Sequence, residues 1–62
     1  MALFYDPLDE ADLSRVEAVL KENGIEYFLR HEPVQGIGPS QIHVAEEDFP
    51  RAEELLLKAT LH

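Results

Sequence analysis

Three histidines and two serines carry the side chains that a metal centre or a nucleophilic site could use: His31, His43, His62, Ser14 and Ser40. His31 and His43 fall in two predicted strands, and strand alternation directs their side chains to opposite faces of the sheet. The two imidazoles therefore cannot share one metal ion without a bulge or a slip in strand register. Neither serine has a histidine at a spacing typical of a nucleophile and its base. The sequence has no cysteine, which excludes disulfides and thiolate zinc sites. We expect no catalytic residue, no metal and no cofactor, and hence no enzyme.

A stretch rich in glycine and proline, residues 32–39 (EPVQGIGP), is the other place where chemistry could reside. Gly36 and Gly38 match neither of the glycine patterns that cradle phosphate, and no helix follows directly to present its amino end. The stretch is predicted to be a wide hairpin connection. An alternative interpretation makes it, with the sheet edge, a pocket for a small molecule.

Length and charge limit the classes of function. The 62 residues, 1–62, form a single domain, with 13 acidic against 5 basic side chains and a formal charge of −8. Such a surface repels phosphate backbones, which argues against nucleic acid as a partner. We expect no signal peptide, because the first residues, MALFYDP, have no basic region and no long apolar run, and no segment approaches the ~18 apolar residues of a membrane span. We expect a cytoplasmic domain with no nucleic-acid or membrane partner.

The longest element that could position a site is an amphipathic helix predicted over Asp6–Gly24. Asp6 is the predicted N-cap, and Pro7 suits the first helical position. Gly24 is placed to take the left-handed conformation that ends a helix. Apolar residues at helical spacing form the centre of its buried stripe: Leu13, Val16 and Leu20.

Three short strands and a second helix account for the rest of the chain. Strands are predicted at Ala2–Tyr5, Ile25–His31 and Ser40–Ala45 from their apolar and aromatic content and, in the last two, from alternation. The acids of Glu46–Asp48 then open a helix, in whose first turn Pro50 is tolerated. The predicted core consists of Phe4, Val16, Leu20, Ile25, Leu29, Ile42, Val44, Phe49, Ala52 and Leu56.

The order of these elements, βαββα, predicts an α+β fold. A right-handed crossover makes the first two strands parallel and leaves space between them for the third, so the sheet order is 1-3-2. Both helices then cover one face, as in a ferredoxin-like fold that lacks its last strand. The other face and the outer edge of the first strand stay uncovered. We predict an interaction surface there, composed of Leu3, Tyr5, Phe28, Arg30, Gln41 and His43.

The pattern resembles a small bacterial family of signal-transducing domains of unknown function. The resemblance rests on the strand ending at Tyr5, on Asn23–Ile25, on Phe28-Leu29, and on Ile42–Val44 followed by Glu46–Asp48. It implies a βαββα domain loosely comparable with nitrogen-regulatory PII-type proteins, and it brings no ligand or activity. Some members of the family append a cysteine-rich zinc ribbon, which is absent here. PII-type nucleotide binding is not expected, since the chain has no phosphate-binding loop or basic cluster.

These observations favour a non-enzymatic regulatory or interaction domain. Its partner is expected to be a protein, bound through the open sheet face or the edge of the first strand. A second copy of the chain is one candidate for that edge, because an unpaired edge invites another strand. The alternative is a small-molecule sensor that uses the loop at residues 32–39.

Overall fold

The computed structural model describes residues 1–31 and 40–60. Strand β1 spans Ala2–Tyr5, helix α1 spans Glu10–Glu22, strand β2 spans Tyr27–Arg30, strand β3 spans Gln41–Val44, a 3₁₀ turn spans Glu46–Asp48, and helix α2 spans Phe49–Thr60.

The three strands form one sheet in the order β1-β3-β2. Both β1 and β2 pair antiparallel with β3, so they run parallel to each other and α1 is the crossover between them. The predicted α+β class, βαββα layout and 1-3-2 order are confirmed.

The core lies between the sheet and the two helices. β3 contributes Ile42 and Val44, both fully buried, and the remaining buried side chains come mainly from the helices: Leu13, Val16, Leu20, Ile25 and Ala52. Because residues of α1, α2 and β3 form one cluster, both helices cover the same face of the sheet.

One predicted core residue is wrong. Leu29 lies opposite Ile42 in the β2–β3 register, but its side chain is 46% exposed. Three of the four residues of β2 are exposed. Two helices above a three-stranded sheet bury the central strand and leave this edge strand partly uncovered.

Helix α1 starts later than the sequence predicts. Asp9, not Asp6, is the N-cap: its side-chain oxygen accepts a hydrogen bond from the Asp12 amide at 2.8 Å. Pro7 is buried ahead of the helix rather than in its first turn. Residues 6–9 therefore form a separate connection between β1 and α1.

The end of α1 matches the prediction. Gly24 has a φ of 69°, in the left-handed region where a side chain is strained. Its amide donates to the Lys21 carbonyl at 3.2 Å, and the Ile25 amide donates to the Leu20 carbonyl at 3.0 Å. This pair of bonds is a Schellman motif, and it carries the buried Ile25 directly into the core.

Strand β1 contains a bulge. Leu3 pairs with His43 and Tyr5 pairs with Ile42, so Phe4 is an extra residue without a partner on β3. Phe4 packs against the core, as predicted, with its ring edge-on to Phe49 at 5.5 Å between centroids. Since one extra residue reverses the alternation that follows it, Tyr5 also turns toward the helices.

Candidate functional site

The sheet face opposite the helices carries a row of three side chains, one from each strand. Leu3 and Phe28 both pair with His43 of the central strand. Leu3 is 48% exposed and Phe28 is 65% exposed. One step along the sheet, Gln41 pairs with Arg30. We call these five residues the open sheet face.

Strand alternation explains why this face collects these side chains. Ile42 and Val44 are buried against the helices, so the residues at positions 41 and 43 must point the other way. In β2, Tyr27 lies on the helix side, where its hydroxyl reaches α1. Phe28 is therefore directed away from the core, in agreement with its high exposure.

His43 holds an unsatisfied polar atom at the centre of the open sheet face. Its Nε2 atom is buried and has no hydrogen-bond partner among the residues that the structure describes. Leaving a buried donor or acceptor unsatisfied costs about 1–3 kcal/mol. A ligand would recover part of this cost only in a state in which the atom is accessible, because it is buried in the free domain.

Tyr5 belongs to the predicted interaction surface but lies on the other side of the sheet. Its hydroxyl donates a hydrogen bond to Asp12 Oδ2 on α1 at 2.8 Å, and its ring packs against the core. The reason is the bulge at Phe4, which simple alternation along Ala2–Tyr5 does not reveal. Five of the six predicted surface residues share one face, and Tyr5 does not.

Asp12 is the acceptor for three donors around the start of α1. Besides the Tyr5 hydroxyl, the Leu8 amide lies 3.0 Å from Oδ2 and the Arg15 guanidinium lies 2.9 Å from Oδ1. These bonds, that from Leu8 first, lower the pKa of Asp12 below its ordinary value. The bond to Asp12 is in turn the main cause that raises the pKa of Tyr5.

A second tyrosine connects the other edge strand to the same helix. The Tyr27 hydroxyl donates to Glu17 Oε2 at 2.8 Å. Burial, followed by this bond and the charge of Glu17, raises the pKa of Tyr27 to about 12. Neither tyrosine–carboxylate pair is predictable from the sequence, because each joins a strand to a helix and depends on how the two pack.

The described residues, 1–31 and 40–60, offer no group of three or more histidine, cysteine, aspartate or glutamate side chains that could hold a metal ion. His31 is exposed at the end of β2. His62 and the predicted loop at 32–39 lie outside the described residues. No helix in the described part of the chain is long and apolar enough to cross a membrane.

The comparisons with known proteins identify the family. A family model described as "Putative prokaryotic signal transducing protein" matches residues 1–60. The chain belongs to this family. The match covers every described element and agrees with the resemblance seen in the sequence. No curated protein and no solved structure matches the chain. The family's description names a role in signalling but no ligand or partner, so a more specific function must be argued from the site.

Proposed function

We propose that this family member is a non-enzymatic regulatory domain of the cytoplasm that binds a protein partner through the open sheet face. The observation that carries the proposal is the exposure of Phe28, at 65%, beside His43 and Leu3 on the face opposite α1 and α2. A small domain gains stability by burying such side chains, so their exposure is consistent with a surface that another molecule covers.

The chemistry of the open sheet face favours a protein over a nucleic acid or a membrane. Aromatic side chains on an open sheet bind bases in RNA-recognition modules, but those proteins also supply a basic surface. Here the formal charge is −8, which repels phosphate backbones and anionic lipid headgroups. Phe28 and Leu3 provide apolar area, and Arg30 and Gln41 provide polar groups at its margin, as in the core and rim of a protein interface.

His43 supplies the polar contact within the apolar patch. We infer that a partner group forms a hydrogen bond with its Nε2 atom. The atom is buried in the free domain, so binding must include a local change that makes it accessible. Replacing His43 with leucine removes the unsatisfied nitrogen and puts an apolar side chain in its place. The free domain should become more stable while partner binding becomes weaker, because only the complex uses the nitrogen. A variant that loses stability and keeps full binding would contradict this role.

The test of the surface is capture of partners from a lysate of the source cells with a matched set of immobilised domains. Phe28→Ser and Leu3→Ser alter the open sheet face. Leu57→Ser is the control, because Leu57 is 61% exposed on α2 and the substitution is of the same kind. Circular dichroism must first show that all three variants are folded.

Proteins bound through the open sheet face should be retained by the wild type and by Leu57→Ser, and lost from the two sheet variants. Their binding is then confirmed with the purified partner. Capture that is unaffected by Phe28→Ser and Leu3→Ser would refute the proposed surface. Binding to DNA or RNA at physiological salt would refute the proposed class of partner.

A further inference from the structure

The two outer edges of the sheet differ. In the described part of the chain, β1 and β2 each pair only with β3, so each has an outer edge. The edge of β1 is interrupted by the bulge at Phe4, a device that discourages further strand pairing. On its helix side, β1 contacts α2 through the rings of Phe4 and Phe49. β2 has a regular register and exposes three of its four residues.

The residues along β2 are self-complementary about Phe28. Glu26 precedes Phe28 by two positions, and Arg30 follows it by two positions. Strand alternation directs all three side chains to the open side, since Ile25, just before Glu26, is buried and Tyr27, between Glu26 and Phe28, is half-buried. A two-fold axis at Phe28 would place a second, antiparallel β2 with each Glu26 opposite an Arg30.

We propose that the edge of β2 pairs with the β2 edge of a second copy of this chain, forming a continuous six-stranded sheet. In that register Phe28 faces its own copy across the axis, and Tyr27 faces Leu29 of the second copy on the helix side. Opposite charges and aromatic residues at directly opposed positions both stabilise antiparallel pairs. A two-fold interface requires one patch that complements itself, and β2 has this property.

This arrangement accounts for one further feature of β2, and it offsets one force that opposes dimerisation. Leu29 is 46% exposed in the single chain although it lies on the helix side, and Tyr27 of the second copy would lie beside it. The net charge of −8 opposes association of two copies, but the opposed Glu26 and Arg30 place opposite charges where the chains meet. The axis also joins two open sheet faces into one wider surface. The pairing itself uses the backbone edge and does not depend on the proposed partner.

Charge reversal at positions 26 and 30 tests the register. Glu26→Arg and Arg30→Glu each place like charges opposite one another at both ends of the symmetric pair. Each single variant should weaken dimerisation about tenfold or more. The double variant restores opposite charges and should dimerise like the wild type. An equimolar mixture of the two single variants should form a heterodimer, because each then meets the opposite charge.

Sedimentation equilibrium from about 10 µM to about 1 mM covers the weak affinities expected of a short interface. Glu53→Arg on exposed helix surface is the control for Glu26→Arg. Both substitutions make the formal charge of −8 less negative by two. The reduction in general repulsion should favour association of Glu53→Arg, whereas Glu26→Arg should dissociate. Dissociation of the double variant, or a monomeric wild type across the range, would overturn the proposal.

A disulfide cross-link tests the position of the axis, since the chain has no cysteine of its own. Opposed residues of antiparallel strands have Cα atoms about 4.5–5.5 Å apart, within the range of a disulfide. Phe28→Cys should therefore form a covalent dimer on mild oxidation, and Leu3→Cys, on the same face but on β1, should not. Equal cross-linking of Phe28→Cys and Leu3→Cys would indicate that the two open sheet faces pack against each other, and it would overturn edge pairing. A further variant, Leu3→Glu, places a charge on the open sheet face away from β2, and loss of the dimer in this variant would lead to the same conclusion.

Discussion

Replacing Tyr27 with phenylalanine tests how the edge strand β2 is held against α1. The change removes one hydroxyl, which donates to Glu17 at 2.8 Å, and leaves the ring in place. Hydrogen bonds to a charged group contribute about 1.5–3 kcal/mol, and partial exposure of this pair places its value near the lower limit or below it, at about 1 kcal/mol. For a domain of this size we expect the melting temperature to fall by about 4–8 °C.

The effect of this substitution should depend on pH. Folding raises the pKa of Tyr27 from an ordinary value of 10.0 to about 12, so the folded state favours the protonated hydroxyl. The stabilisation is present in full below pH 10.0 and is lost as the pH rises to about 12. Tyr27→Phe cannot ionise at this position, so the wild type should lose its advantage over the variant in this interval. It should become the less stable of the two once a tyrosinate forms in a partly buried position beside Glu17.

The composition of the chain makes the titration easy to assign. There are two tyrosines and no tryptophan, so Tyr5→Phe leaves Tyr27 as the single chromophore that forms tyrosinate. Its near-ultraviolet titration should have a midpoint near 12 while circular dichroism shows the fold intact. Adding Glu17→Gln should lower the midpoint only in part, because burial is the larger cause of the shift. A midpoint near 10.0 in the folded domain would refute the hydrogen bond and the burial together.

Three further predictions concern the fold and the charge. Leu20→Ala should cost about 2–5 kcal/mol in denaturant unfolding, because Leu20 is fully buried; the same change at the exposed Leu57 should be nearly neutral, and similar costs would mean that the core is misassigned. Asp9→Ala should destabilise the domain by about 0.5–2 kcal/mol as the loss of an N-cap, and Asp6→Ala should not; the reverse order in thermal melts would contradict the observed cap. Because the excess carboxylates repel one another and salt screens this repulsion, moderate salt should maintain or raise the melting temperature. The same negative charge should prevent retention of the domain on heparin. Salt-sensitive retention would contradict the charge argument.

The layout of the fold was predictable because its signals are local and repeated. Strand alternation alone places Ile42 and Val44 on one face, independently of how the other elements pack, and both residues are fully buried. Gly24 follows an apolar stripe of helical period, and its positive φ ends α1 as expected. With two helices and three strands in the order βαββα, the handedness of the crossover leaves few arrangements of the sheet.

The features that were not predictable depend on competition between neighbouring residues or on packing. Asp6 and Asp9 are both plausible N-caps, and burial of Pro7 ahead of α1 decides for the second. A bulge at Phe4 has no signature in four residues, yet it turns Tyr5 from the open face to the helices. Exposure of Leu29 depends on how far the helices reach over β2, which alternation does not encode.

The same two tyrosines determine how substitutions on the open sheet face should be interpreted. Tyr5 connects β1 to α1 through Asp12, and Tyr27 connects β2 to α1 through Glu17. Both edge strands are therefore held from the helix side, and the exposed Phe28 contributes little to the core. A substitution there should leave the fold largely intact, so that a loss of partner binding in Phe28→Ser reports on the surface and not on unfolding. The variants Tyr5→Phe and Tyr27→Phe should have the opposite effect: they should lower stability, because each weakens the attachment of an edge strand to α1, and they leave the side chains of the open sheet face unchanged.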